Sequence, residues 1–114
     1  MAKVEILTSL VLAIKKKFSR SEANEVIDLM YTLEDNPRKG KILGTVGGIL
    51  IKEIKYKTFR FYFLTDGFKL KMFSAEELTD LLLRFVRMSD KKHQQETIRE
   101  IRDVVLKMGL QGFS

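Results

Sequence analysis

The chain predicts an α+β fold, with an N-terminal helical hairpin packed on a small, mostly antiparallel twisted sheet and a C-terminal helix. Three observations carry that expectation. Apolar residues recur at helical spacing on both sides of Ser19. The middle of the chain, from Ile49 to Phe73, is rich in β-branched and aromatic residues that alternate with charged ones. A last helical stripe, Ile98, Ile101, Val104, Val105 and Met108, runs up to Gly109, a helix-stop residue.

Taken in order, Lys3 to Leu7 reads as a short strand. Leu7, Leu10, Val11, Ile14 and Phe18 then make one helical face, with Lys15, Lys16 and Lys17 filling the far side of the last turn, where the helix dipole favours cations. Ser19 and Glu22 form a capping box that opens a second helix with the stripe Ala23, Val26, Ile27, Met30 and Leu33. That helix ends near Asn36-Pro37, because proline disfavours helical geometry in the residue before it. So short a connection between two helices predicts an antiparallel hairpin.

Arg38 to Gly48 reads as a basic, Gly-rich loop, with GTVGG as a kink on entry to a strand. Asp66-Gly67 is a type I′ turn signal, since both central residues must accept positive φ. A two-residue loop there pairs Thr65 with Phe68, Phe63 with Leu70 and Phe61 with Met72 on an apolar face. On the opposite face Tyr62 meets Lys71 and Leu64 meets Lys69. An even loop at Lys57-Thr58 pairs Lys55 with Arg60, Ile54 with Phe61 and Glu53 with Tyr62. An odd loop would turn Glu53 onto the Phe61 face, against the cost of burying a charge. Glu53, Lys55, Arg60, Tyr62, Lys69 and Lys71 therefore share one face of a meander formed by 49–56, 59–64 and 68–73.

Residues 74–88 allow two readings. Ser74 and Glu77 make a capping box, and Leu78, Leu81, Leu82 and Phe85 suit a helix. Leu81 to Met88 equally forms a short apolar run that suits a buried strand, and periodicity alone does not separate the two.

Composition narrows the chemistry. A chain of 114 residues with 45% hydrophobic and 32% charged residues is expected to be one soluble domain. Its net charge of +6 favours polyanionic partners: nucleic acid, a ribosome or an acidic protein surface. The absence of cysteine excludes thiolate metal sites, disulfides and Cys nucleophiles. His93 is the only histidine, which excludes a His-based triad or a multi-His metal site; in DKKHQQE it reads as an exposed helix-start residue. The N-terminal apolar run falls well short of the roughly 20 residues a membrane span needs, and its charges follow the run instead of preceding it. A cytoplasmic chain is expected, with no membrane segment and no cofactor.

The order of these elements resembles the RelE/ParE toxin superfamily, and within it the phage-derived, HigB-like branch. The resemblance rests on Leu33-Glu34-Asp35-Asn36-Pro37 and the basic loop, then on Ile51-Lys52-Glu53-Ile54-Lys55, which is similar to that branch's tyrosine-Glu-Leu-Arg strand. Phe59-Arg60-Phe61-Tyr62-Phe63 is similar to its YRxxY-like strand, and Leu82-Leu83-Arg84-Phe85-Val86-Arg87 to its strand ending in Phe and basic residues. It spans roughly residues 30–105 and implies that Leu81 to Met88 is a strand. The activity implied is ribosome-dependent cleavage of mRNA, and the partners implied are a cognate antitoxin, mRNA and the ribosome. Lys55 stands in place of the branch's Arg, Met88 in place of a second Lys, and the segment from Phe73 to Asp80 is longer than typical.

Metal-free RNA cleavage needs a base for the 2′-OH proton, an acid for the leaving oxygen, and cations over the phosphate. Arg60 is the candidate phosphate clamp, since its planar fork can hold two oxygens. Tyr62 is a candidate proton donor or base-stacking surface, Lys55 and Lys71 are candidate proton carriers, and Glu53 is a candidate general base. Lys52, Lys69, Arg84, Arg87, Lys91 and Lys92 are candidate RNA-backbone contacts. The alternative is a ParE-like gyrase inhibitor, or a non-catalytic relative that binds RNA or protein.

Overall fold

The computed structural model describes residues 1–113. Its order is β1 (Lys3–Ile6), α1 (Thr8–Lys17), α2 (Arg20–Tyr31), β2 (Lys41–Val46), β3 (Ile49–Tyr56), β4 (Phe59–Asp66), α3 (Gly67–Met72), β5 (Leu82–Asp90) and α4 (Gln94–Met108), with short 3₁₀ turns at Thr32–Glu34, Ala75–Asp80 and Gly109–Gly112. The five strands form one sheet in the order β1-β5-β4-β3-β2; β1 runs parallel to β5, and the other neighbours are antiparallel. Among the described residues no helix is long and apolar enough to cross a membrane.

The helical hairpin forms where its pattern places it. Ser19 accepts a hydrogen bond from the Glu22 amide at 3.2 Å, capping α2. Leu10 and Ile14 of α1 and Ala23, Val26 and Met30 of α2 are buried. Phe18, which ends α1, meets the rings of Phe59 and Phe61 on β4 at centroid distances of 5.0 and 6.2 Å.

The hairpin at Lys57-Thr58 has the expected register: Lys55 faces Arg60, Ile54 faces Phe61 and Glu53 faces Tyr62. Phe61 and Phe63 are buried on the face that meets α1, and Tyr62 points to the other face.

Two local expectations are corrected. Arg38 to Gly48 is not a loop throughout: β2 occupies Lys41–Val46, and Gly47-Gly48 is the hairpin turn, with φ of +55 and +83°. Residues 68–73 are not a strand. Asp66 accepts a hydrogen bond from the Lys69 amide at 3.0 Å and so caps the short helix α3. The edge of β4 that this segment was expected to occupy is taken by β5, so Arg87 faces Tyr62 where Lys71 was expected. Lys69 and Lys71 consequently leave the sheet. The ambiguity over 74–88 resolves as a capped 3₁₀ turn followed by a strand.

The C-terminal helix α4 crosses the sheet on the face opposite the helical hairpin. At one side its Glu100 pairs with Arg87 of β5 at 2.8 Å. At the other, its Arg102 guanidinium fills the space beside Gly44 of β2, where an added Cβ would lie 2.1 Å from Nη2. Strands β4 and β3 lie between these two attachments in the sheet order, so α4 lies over them. Ile101 and Val105 of α4 are buried.

Candidate functional site

Paired residues on neighbouring strands share a face, and this gathers the site. Glu53 and Lys55 of β3 stand beside Tyr62 and Arg60 of β4. Strand β2 adds Lys41 opposite Glu53, while β5 adds Ser89 opposite Arg60 and Arg87 opposite Tyr62. All lie on the face that α4 crosses.

Most of this cluster is withdrawn from water. Tyr62 is fully buried, Glu53 keeps 2% of its surface, and the Arg60 side chain keeps 11%. The Arg60 Nε stands 3.9 Å from a Glu53 carboxylate oxygen, close enough for charge compensation. Neither Glu53 oxygen has a hydrogen-bond partner among the described residues, and Arg60 Nη1 reaches only the Thr58 carbonyl, at 3.4 Å. The pair is therefore held by attraction and burial without a matched hydrogen bond.

The Tyr62 hydroxyl lies 2.8 Å from Ser89 Oγ. Ser89 Oγ also donates to the Asp90 carbonyl at 2.9 Å, and either hydroxyl can be the donor in the contact with Tyr62. Burial pushes the Tyr62 phenol above its ordinary pKa; the Ser89 hydrogen bond and the Arg60 charge oppose the rise, and the Glu53 charge adds to it. A phenol so placed keeps its proton at neutral pH. It can donate a hydrogen bond but is a poor base.

Lys55 is exposed at the same end of the sheet. A cleft of about 320 Å³ at the β2 edge is lined by Lys39, Lys41 and Lys55 together with Glu53, Leu29, Gly40 and Ile54. Lys39 and Lys41 were not among the residues expected from the sequence, because their segment reads as a loop. Once β2 is recognised as a strand, its pairing puts Lys41 beside Glu53.

Other expected contacts disperse. Lys52 is a correction: period 2 turns it away from Glu53, onto the face that carries Phe63, and it retains 1% of its surface. Its ammonium donates to the Arg38 carbonyl at 3.0 Å and lies 5.6 Å from the centre of the Phe63 ring. Burial pushes its pKa below the ordinary lysine range, and the Arg38 charge pushes in the same direction. Lys69 and Lys71, both on α3, are likewise removed from the Arg60 face. Arg84 pairs with Glu5 at 2.8 Å. Arg87 is tied to Glu100 of α4 and lies 5.1 Å from the centre of the Phe113 ring, so its charge helps hold α4 down. Lys91 and Lys92 are exposed where β5 turns into α4. His93 is exposed in the same turn, with its amide and Nδ1 2.9 and 2.8 Å from Asp90 Oδ1. Among the described residues no group of three or more His, Cys, Asp or Glu side chains is placed to hold a metal ion.

The fold is RelE-like. A crystal structure of the isolated E. coli RelE toxin matches this chain with a TM-score of 0.50 at 10% sequence identity, over 89% of this chain and 99% of that one. No protein-family model matches the sequence, and no curated protein matches it.

Proposed function

We propose that this protein is the toxin of a toxin–antitoxin pair and cleaves mRNA on the ribosome with the face around Arg60. The observation that carries the reading is a RelE-like fold in which Arg60 stands between Lys55, Tyr62 and Glu53, beside the lysine-lined cleft at the β2 edge. The HigB-like branch remains the resemblance of the motifs. In the reaction, the 2′-oxygen attacks the adjacent phosphorus, the bond to the 5′-oxygen breaks, and the 2′-OH proton passes to a base while the leaving oxygen gains a proton. Arg60 clamps the phosphate, with Lys55 and Lys41 adding positive charge as the transition state develops. Tyr62, which holds its proton until this step, donates it to the leaving oxygen. Glu53, freed from Arg60 when phosphate takes that guanidinium, is the base.

This chemistry requires α4 to move, because Glu53 and Tyr62 lie beneath it. The cognate antitoxin is proposed to act on the same face, by covering the basic surface or by taking the place of α4. Co-purification with a small acidic or amphipathic protein tests the partner. Cleavage is tested in a translating extract. Arg60→Lys keeps a cation beside Glu53 but loses the fork, and is expected to slow cleavage about 100-fold. Wild-type rates from Arg60→Lys would overturn the assignment.

The second reading, a ParE-like gyrase inhibitor or a non-catalytic binding relative, is favoured by the burial of Glu53 and Tyr62 and the pairing of Arg60 with Glu53. It predicts RNA or protein binding, or inhibition of supercoiling, without strand cleavage by the wild-type chain.

A further inference from the structure

On the sheet face opposite α4, the helical hairpin leaves β2 and the start of β3 uncovered. A cleft of about 670 Å³ opens there between these strands and α3. Leu50 and Leu70 form its apolar floor, and Ile42 and Phe68 form walls that remain 61% and 64% exposed. Among the described residues that line it, Arg38, Lys52 and Lys71 are cationic and none is acidic.

Lys52 makes this more than an apolar hollow. Its side chain is almost wholly buried, yet its ammonium has one hydrogen bond, to the Arg38 carbonyl, and no carboxylate within ion-pair distance among the described residues. An ammonium has three donors, and a buried one without a counter-ion is costly. Arg38 does not relieve it. Its guanidinium carries the same sign and is engaged with the Leu70 and Phe73 carbonyls at 3.0 and 2.5 Å, clasping the end of α3. The cleft therefore has an apolar floor and, at its base, a buried cation without an anion among the described residues.

We propose that this cleft docks an acidic, apolar segment of a partner polypeptide, which seats an apolar side chain on Leu50 and Leu70 and brings a carboxylate to Lys52. Charge complementarity selects an acidic segment over a basic or neutral one. The large exposed walls select a polypeptide over a small amphiphile, since a small ligand held in the cleft would leave Ile42 and Phe68 wet. In the toxin reading, on which this source rests, the segment comes from the antitoxin and is distinct from the one that acts on the Arg60 face, from which this site is separate. Binding is measured without RNA, so its failure and the failure of the cleavage reading are told apart.

The probes are three fluorescein-labelled dodecapeptides, one mixing Leu with Glu, one Leu with Lys and one Ser with Glu, read by anisotropy against the full chain. Binding of the Leu/Glu peptide alone is expected, with backbone amide shifts mapped by NMR to Ile42, Leu50 and Phe68. Lys52→Met, which keeps the side-chain length and removes the charge, is expected to weaken binding about tenfold. Phe68→Ser, on the exposed wall, is expected to weaken it as well, and thermal unfolding of both variants confirms that the fold is kept. Equal binding of the Leu/Glu and Ser/Glu peptides, unaltered by Lys52→Met, would assign the attraction to diffuse basic charge and overturn the proposal. Lys52-dependent binding of oleate or of a hexanucleotide, with no binding of the Leu/Glu peptide, would overturn it too.

Discussion

Lys52 and Glu53 are neighbours in β3, carry opposite charges and are both withdrawn from water, yet they are buried in different ways. Among the described residues Lys52 has a hydrogen bond and no counter-ion, and its cleft is open to solvent. Glu53 has, among the described residues, a counter-ion in Arg60 and no hydrogen bond, and a helix lies over it. The difference separates two kinds of readiness. The Lys52 side borders an open cleft, whereas the Arg60–Glu53 side lies under a helix. In this conformation the sheet therefore presents an open cleft on one face and a covered Arg60–Glu53 pair on the other.

Breaking the closed side has the largest expected effect. Arg60→Ala strands the buried Glu53 carboxylate, and a loss of about 3 kcal/mol is expected in urea unfolding. Replacing both partners, Glu53→Leu with Arg60→Met, is expected to restore stability to within about 1 kcal/mol of wild type, since an apolar pair no longer needs compensation. Equal stability of wild type and Arg60→Ala would mean that the pair contributes nothing and that Glu53 is better solvated than its burial indicates.

Gly40 lies where the two sides meet. Its φ is +107°, and an added Cβ would sit 3.0 Å from the Glu53 carbonyl oxygen and 3.1 Å from the Phe63 ring. Gly40→Ala is expected to cost about 2 kcal/mol, from strain and from the forced shift of β3.

The open side is expected to respond in the opposite direction. Lys52→Met removes an uncompensated buried cation, so stability at pH 7 should hold or rise, by up to about 1 kcal/mol. The pH dependence has a defined sign. A lysine whose folded pKa is depressed leaves the unfolded chain holding more protons between that value and the unfolded value of 10.5, so wild-type stability rises with pH through that window. The Met variant lacks this rise. Tyr62, whose folded pKa is raised above 10.0, acts with the opposite sign above that pH, but it is common to both proteins and cancels in their difference. Chemical denaturation of the two proteins at pH 7 and pH 9.5 makes the comparison, and an unchanged difference would remove Lys52 as the source.

The smallest structural effect is expected from Lys91→Ala and Lys92→Ala. Both residues are exposed, and stability should not change. If they contact the RNA backbone, each substitution should lower the slope of log affinity against log salt by about 1.

Much of the fold was legible because β structure has a strict parity. The even loop at Lys57-Thr58, required to keep Glu53 off the Phe61 face, gives the pairing found along β3 and β4. The same parity already turned Lys52 toward Phe63; placing Lys52 among the RNA contacts gave its charge more weight than its position. The sequence signals a type I′ turn at Asp66-Gly67, but the two-residue turn with positive φ at both positions lies at Gly47-Gly48. An aspartate before a glycine can also cap a helix, and Phe68, Leu70 and Met72 are too few to separate period 2 from a short helical turn. The pairing of β5 with β4 joins segments distant in sequence, which no local pattern reports. For the site, the stripe of α4 announced a buried helix but not which face it would bury, and so the closure over Tyr62 and Glu53 was not legible.

The central claim is that Arg60 and Glu53 act together on RNA, beyond their part in holding each other in the fold. The most direct measurement is single-turnover mRNA cleavage in a translating extract by wild type and by the Glu53→Leu, Arg60→Met double variant, compared after both show the same urea midpoint. The account predicts cut mRNA with wild type and a rate lower by at least about 100-fold with the double variant. Cleavage by the double variant at the wild-type rate would contradict it.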